Sequence, residues 1–163
     1  MPPRLNQKRK NKPERNKRES QRIDPMSADD CIFCKIASGQ IPATIIYQDD
    51  MIVAFLDIGP VSDGHTLVVS KQHIDKFDEC TPEFLGRICS RLGKIAGAIQ
   101  KALASDGYNV LCNNGRAAGQ LVSHLHFHII PRKTADHVFD RWPSYKYLPG
   151  DAEKIADKIR NCF

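Results

Sequence analysis

The chain has 163 residues, 41% of them hydrophobic, and a net charge of +5 from 24 basic and 19 acidic side chains. That length suits one domain with a buried core, and no apolar run approaches the roughly 20 residues that span a bilayer. No apolar h-region follows the N-terminus, so a secretory signal is not expected. The charge is uneven. Residues 1–25 carry nine basic and three acidic side chains, which leaves 15 against 16 for the rest. The basic character therefore belongs to a tail and does not mark the domain as nucleic-acid-binding.

In that tail only Met1, Leu5 and Ile23 are apolar. Such a segment buries too little surface to offset its ordering entropy, so residues 1–27 read as a disordered basic tail. Lys8-Arg9-Lys10 with Lys12, Arg15, Lys17 and Arg18 admits a nuclear-import or RNA-contacting role, or none beyond solvation. A start at Met26 would remove it altogether. The expected location is the cytoplasm, with the nucleus as the tail's alternative address.

The folded part follows as residues 28–134, with an extension over 135–163. CIFCKIA (31–37) reads as a short helix ended by Ser38-Gly39. The β-branched and aromatic runs 44–48 and 51–57, parted by Asp49-Asp50, read as a hairpin, and 65–71 as the next strand. Thr81-Pro82-Glu83 opens a helix whose Phe84, Leu85, Ile88, Leu92, Ile95, Ala96 and Ile99 fall on one face. It ends near Ser105-Asp106-Gly107. Strands follow at 108–113 and 123–130, the latter stopped by Pro131, and a last helix covers Asp151–Asn161. This is an α+β pattern: about five antiparallel strands, one long helix, a short N-terminal helix and a C-terminal helix.

His124-Leu125-His126-Phe127-His128-Ile129-Ile130 carries the chemistry. In a strand, alternate residues share a face, so three imidazoles line one side and Leu125, Phe127 and Ile129 anchor the other. Core packing has no use for three titratable rings. Two readings compete: a metal site of the His-x-His kind, and covalent catalysis by the central imidazole with its neighbours as donors and orienters. The upstream loop, Asn113-Asn114-Gly115 and Gly119-Gln120, favours the second, because glycines and exposed amides accommodate phosphate oxygens. No acidic cluster lies nearby to hold magnesium, so none is expected in catalysis.

The same run resembles the signature of the histidine triad (HIT) superfamily. The resemblance extends in order through Cys31-Ile32-Phe33-Cys34-Lys35-Ile36, Ile41-Pro42, Ala54-Phe55-Leu56-Asp57-Ile58, Gly64-His65-Thr66-Leu67-Val68, Lys71-Gln72-His73-Ile74 and Asn113-Asn114-Gly115. It covers roughly residues 29–133. Because the third histidine, His128, is kept, the chain resembles the hydrolase branch, the HINT-like group with an added Cys-x-x-Cys. The resemblance implies a HIT fold and a homodimer whose two sheets join. It also implies hydrolysis of purine nucleoside 5′-phosphoramidates, with release of AMP and an amine. His126 would be the nucleophile and form a nucleotidyl-histidine. His128 would hydrogen-bond the phosphate, and His65 would orient the nucleophile. Asp57 would bind the ribose hydroxyls; Ile58, Ile32, Phe33, Ile36 and Phe55 would surround the base; Asn113, Gly119 and Gln120 would contact the ribose-phosphate.

Two departures stand out. Leu121 occupies a position where the animal members have a serine that helps protonate the leaving amine; a leucine offers only its backbone N–H there. The animal-type C-terminus is also replaced by Trp142-Pro143 and the final helix, which would cover the site or the dimer partner. Competing functions are hydrolysis of dinucleoside polyphosphates or adenylylated ends, and nucleotide binding without catalysis.

Six cysteines (31, 34, 80, 89, 112 and 162) without a leader imply reduced thiols. By spacing alone, Cys31 and Cys34 are a redox pair, half a metal site or ordinary thiols. The resemblance supplies His73 and His124 as the remaining ligands of a structural zinc. Taken singly, Asp57 merely ends a strand and His65 starts one. Ile32, Phe33, Ile36 and Phe55 are core by default.

Overall fold

The structure, a computed structural model, describes residues 28–139 and 144–163. The expectations for the basic tail and for Trp142-Pro143 lie outside the described residues. In chain order the elements are α1 (Ile32–Ala37), β1 (Ile45–Gln48), β2 (Ile52–Leu56), β3 (Thr66–Ser70), α2 (Pro82–Leu103), β4 (Gly107–Leu111), β5 (His126–Arg132) and α3 (Asp151–Arg160). The strands form one sheet in the order β1-β2-β3-β5-β4, and each neighbouring pair is antiparallel.

Local chemistry sets the elements. Asp49 turns β1 into β2 by accepting hydrogen bonds at Oδ1 from the backbone N–H groups of Met51 (2.8 Å) and Ile52 (3.0 Å). Its other oxygen takes the guanidinium of Arg91, which ties the hairpin to α2. Thr81 caps α2, its Oγ1 accepting from Phe84 N at 3.3 Å with Pro82 at the first position; loss of such a cap costs about 1 kcal/mol. The helix runs to Leu103, where Ala104 turns left-handed at φ 48°.

The period-two alternation divides the sheet into two faces. Ile52, Ala54, Val68, Leu125, Phe127 and Ile129 pack against Ile88, Leu92, Ile95, Ala96 and Ile99 of α2. Val53, Phe55, Leu67 and Val69 point the other way, onto Cys31, Phe33 and Ile36 around α1. An apolar groove of about 410 Å³ runs between α2 and the β1–β3 side, lined by Ile46, Tyr47, Leu56 and Leu103 among others. It lies on the α2 face, so the sheet separates it from the histidines.

The last strand departs from expectation at both ends. It does not stop at Pro131, which sits inside it opposite Tyr108. The carbonyl of Pro131 accepts a hydrogen bond from Ser62 Oγ at 2.8 Å, on the side of β5 where pairing with β3 has already ended at Ile129. A residue's N–H and C=O point the same way in a strand. The missing N–H therefore faces a gap in the ladder and costs no ladder bond. At the other end the strand begins at His126, so His124 precedes it.

Candidate active site and metal centre

His126 and His128 sit on the α1 face of β5 with ring centroids 5.0 Å apart. Backbone contacts fix their tautomers. His126 Nδ1 lies 2.7 Å from the carbonyl oxygen of His124, which only accepts, so Nδ1 carries the proton and Nε2 carries the lone pair. His65 Nδ1 accepts from the backbone N–H of Val61 at 3.4 Å. Its Nε2–H then donates to His128 Nδ1 at 2.9 Å, which leaves His128 with its proton on Nε2. The pair therefore presents a lone pair on His126 and an N–H donor on His128.

Burial keeps these rings neutral. It depresses the pKa of His126, and it lowers that of His65 against the opposing pull of Asp57, whose Oδ2 is 3.7 Å from Nδ1. His128 falls to about 4, through burial first and then the neighbouring His126 and His65. The unfolded chain binds a proton at His128 near pH 6.5, whereas the folded chain does so only near 4, so stability is unaffected above pH 6.5 and falls as pH drops toward 4; His126 and His65 act in the same direction. The urea midpoint is expected to be lower at pH 5 than at pH 7, and His128→Gln is expected to narrow that difference. Equal pH sensitivity in the variant would remove His128 as a source.

Around the pair, Asp57 Oδ1 also accepts from Gly59 N at 2.9 Å, which fixes the carboxylate beside His65. Of the apolar residues expected around a base, Ile32 and Ile58 are exposed, while Phe33, Ile36 and Phe55 are buried in the core of the α1 face. The loop after β4 closes on itself. Gly115 N donates to Gln120 Oε1 at 2.6 Å, and Gln120 Nε2 donates to the Asp75 carbonyl at 2.7 Å. The buried Gln120 side chain thus holds the loop's shape with both ends of its amide. Gly119, at φ 89°, lies under Asn113, whose Nδ2 would be 3.5 Å from an added Cβ. Leu121 is almost fully exposed.

Cys31, Cys34, His73 and His124 converge, with their donor atoms within 4.8 Å of one another. Cys31 Sγ is 3.3 Å from His124 Nδ1, and Cys34 Sγ is 3.3 Å from His73 Nδ1. Two residues outside the expected set orient the rings. His124 Nε2–H donates to the Ser70 carbonyl at 2.7 Å, and His73 Nε2 is 3.2 Å from Asp75 Oδ1. Both imidazoles therefore turn Nδ1 lone pairs toward the sulfurs, the arrangement that outer groups impose on metal-binding histidines. Burial, with Cys31 beside it, pushes the Cys34 thiol up to about 11. Two thiols with two imidazoles match the preferences of zinc. Ser70 and Asp75 carry no signal in sequence, since a serine and an aspartate after a strand are commonplace.

Residues 38–135 match the HIT domain. An adenosine 5′-monophosphoramidase of Schizosaccharomyces pombe is 40% identical over 130 residues, 79% of this chain and 95% of that one. An adenylylsulfatase of Arabidopsis thaliana is 46% identical over 108 residues, 66% of this chain and 55% of that longer protein. Among solved structures, a HIT family protein from Bacillus subtilis is 41% identical with a TM-score of 0.75, covering 82% of this chain and 97% of that one. The chain belongs to the histidine triad (HIT) family. Its five-stranded antiparallel sheet with few helices is the HIT fold.

Proposed function

We propose that the chain hydrolyses purine nucleoside 5′-phosphoramidates through a nucleotidyl-histidine intermediate. The observation that carries this reading is the tautomer pair: His126 offers Nε2 as a nucleophile while His128 offers Nε2–H to a phosphate oxygen. Nε2 attacks phosphorus, the phosphorus–nitrogen bond breaks, and the departing amine takes a proton from solvent. The His124 carbonyl then faces the positive ring of the intermediate at Nδ1–H. Water next attacks phosphorus, the phosphorus–Nε2 bond breaks and returns its electron pair to Nε2, and the proton lost by the water passes to solvent. Asp57 is assigned the ribose hydroxyls, Ile32 and Ile58 the base, and Asn113 with the Gly119 backbone the phosphate. Leu121 can give the leaving amine only a backbone N–H. The phosphoramidase named among the relatives supports the choice of substrate.

Zinc is assigned to Cys31, Cys34, His73 and His124, where it would supply rigidity to the fold. The division into a basic tail (1–27), a HIT domain (28–134) and an extension (135–163) belongs to the same proposal, with the tail as an address or tether.

The test is a comparison of kcat/KM for adenosine 5′-phosphoramidate, diadenosine polyphosphates and adenosine 5′-phosphosulfate. Preference for the phosphoramidate supports the assignment. A higher value for another substrate reassigns the leaving group, and AMP binding without turnover reduces the chain to a nucleotide-binding protein.

A homodimer is also proposed. β4 ends the sheet with Tyr108 and Val110 exposed. On α2, opposite the core face, Gly86, Ser90, Gly93 and Gly97 form an exposed small-residue stripe. Each glycine in a helix costs roughly 1 kcal/mol against alanine, a cost that close approach of a second helix offsets. Val110→Lys is expected to turn a dimer into a monomer by light scattering; an unchanged mass would place the interface elsewhere.

A further inference from the structure

The Cys31–Cys34–His73–His124 cluster is open to solvent on one side only. Cys31 and His124 are fully buried, whereas Cys34 is half-buried and the His73 side chain keeps 19% of its surface. Cys34 and His73 border an open cavity of about 410 Å³, which Lys35, Ser38, Gln40 and Lys71 also line. A small polar reagent can therefore reach the Cys34 sulfur and not that of Cys31. The two sulfurs are near neighbours, with the donor atoms of the cluster all within 4.8 Å of one another. Cys31 stands at the N-cap of α1, and its carbonyl accepts from Lys35 N at 3.1 Å, so Cys31 and Cys34 share one closed turn. Residues three apart in such a turn are close enough for a disulfide without backbone movement. That bond would lie wholly within the first turn of α1. The cluster itself joins three separate segments: α1, the stretch after β3 that carries His73, and the approach to β5 that carries His124.

We propose that this centre is an oxidation-sensitive clamp: a hydroperoxide entering by the cavity oxidises Cys34, Cys31 closes a disulfide onto it, and zinc is released. This rests on the assignment of zinc to the four residues. As metal ligands both cysteines are thiolates, the nucleophilic form of the thiol. Cys34 Sγ attacks one peroxide oxygen, the oxygen–oxygen bond breaks, hydroxide leaves, and Cys34 becomes a sulfenic acid. Cys31 Sγ then attacks Cys34 Sγ, the sulfur–sulfur bond forms, and the sulfur–oxygen bond breaks with loss of a second hydroxide. The two hydroxides take protons from solvent and become water. The two sulfurs together lose two electrons, and the peroxide gains them. Structural zinc needs four ligands, and only His73 and His124 then remain. A tie between three segments is thereby replaced by a bond inside one turn, which holds α1 to neither histidine. Thiol reduction reverses the change, as suits a disulfide formed transiently in a reducing compartment.

The experiment treats the full, reduced, zinc-loaded chain with a small excess of hydrogen peroxide. The readouts are free zinc by an indicator dye, disulfides by peptide mass mapping, and the thermal midpoint. About one zinc is expected to be released for each Cys31–Cys34 disulfide formed. The midpoint is expected to fall to that of wild type stripped by a chelator, and thiol reductant with added zinc to restore it. Dimedone, which traps sulfenic acids, is expected to label Cys34 when present during oxidation. A label on Cys31 would overturn the assignment of Cys34 as the reacting sulfur. Cys89 and Cys162 are exposed and compete for peroxide. A chain with both Cys89→Ala and Cys162→Ala is therefore expected to release zinc as fast as wild type, and slower release would place the reacting thiol outside the centre. Zinc retained while the exposed thiols oxidise would overturn the proposal, as would zinc lost without the Cys31–Cys34 disulfide. A chain that holds no zinc before treatment fails the zinc assignment and this proposal with it. A loaded chain that peroxide does not empty fails the proposal alone.

Discussion

His126→Ala is expected to lower hydrolysis of adenosine 5′-phosphoramidate by at least about a thousandfold, since removal of a covalent nucleophile eliminates the two-step route altogether. AMP affinity should change far less. The ribose and phosphate contacts assigned to Asp57, Asn113 and Gly119 do not pass through this ring, and the imidazole is neutral because burial depresses its pKa. The variant should also fail to accumulate a nucleotidyl-protein adduct when wild type is quenched mid-turnover. Burial and folding are checked separately by the thermal midpoint, because the ring is 5% exposed and its loss opens a small cavity beside Phe33. Turnover within tenfold of wild type would remove His126 from the chemistry and leave the site as a nucleotide-binding surface.

How much of this site was readable from sequence depends on the range over which each feature is decided. The face shared by His126 and His128 is a matter of period two within one strand, and alternation is local. The capped start of α2 at Thr81-Pro82 is equally local. Pro131 misled because its tolerance depends on where a different strand, β3, ends. His124 reads as a member of the histidine strand, yet it lies just upstream of β5 with its ring held by Ser70, 54 residues away. No pattern reveals that partnership, nor the one between Asp75 and His73, because both orienters are ordinary polar residues. Gln120 shows the converse. An amide in a glycine loop reads as a phosphate contact, and no sequence pattern reveals that its two ends are also bonded to Gly115 and Asp75. Phe33 and Phe55 read equally well as core and as base pocket; both are buried in the cluster on the α1 face, beside His126, a position that serves either role.

The proposed metal centre carries the second large effect. The untagged wild-type chain is expected to contain about one zinc per chain, held by four protein ligands as in structural zinc sites. Cys31→Ala is expected to abolish that content and to lower the thermal midpoint by about 10 °C, the consequence of losing roughly 3–5 kcal/mol in a chain of this size. Cys31 is fully buried at the N-cap position of α1, where its side chain makes no capping bond, so its loss removes one of the four proposed ligands and a buried side chain at the start of the helix. Cys89→Ala, at an exposed position on α2, should leave both quantities as they are. Binding must displace the proton from Cys34, whose thiol burial and the adjacent Cys31 push up to about 11. Zinc uptake therefore releases protons, and apparent affinity is expected to fall as pH is lowered. A wild-type chain that contains no zinc, takes up none, and melts at the same temperature with and without chelator would remove zinc from the assignment of Cys31, Cys34, His73 and His124.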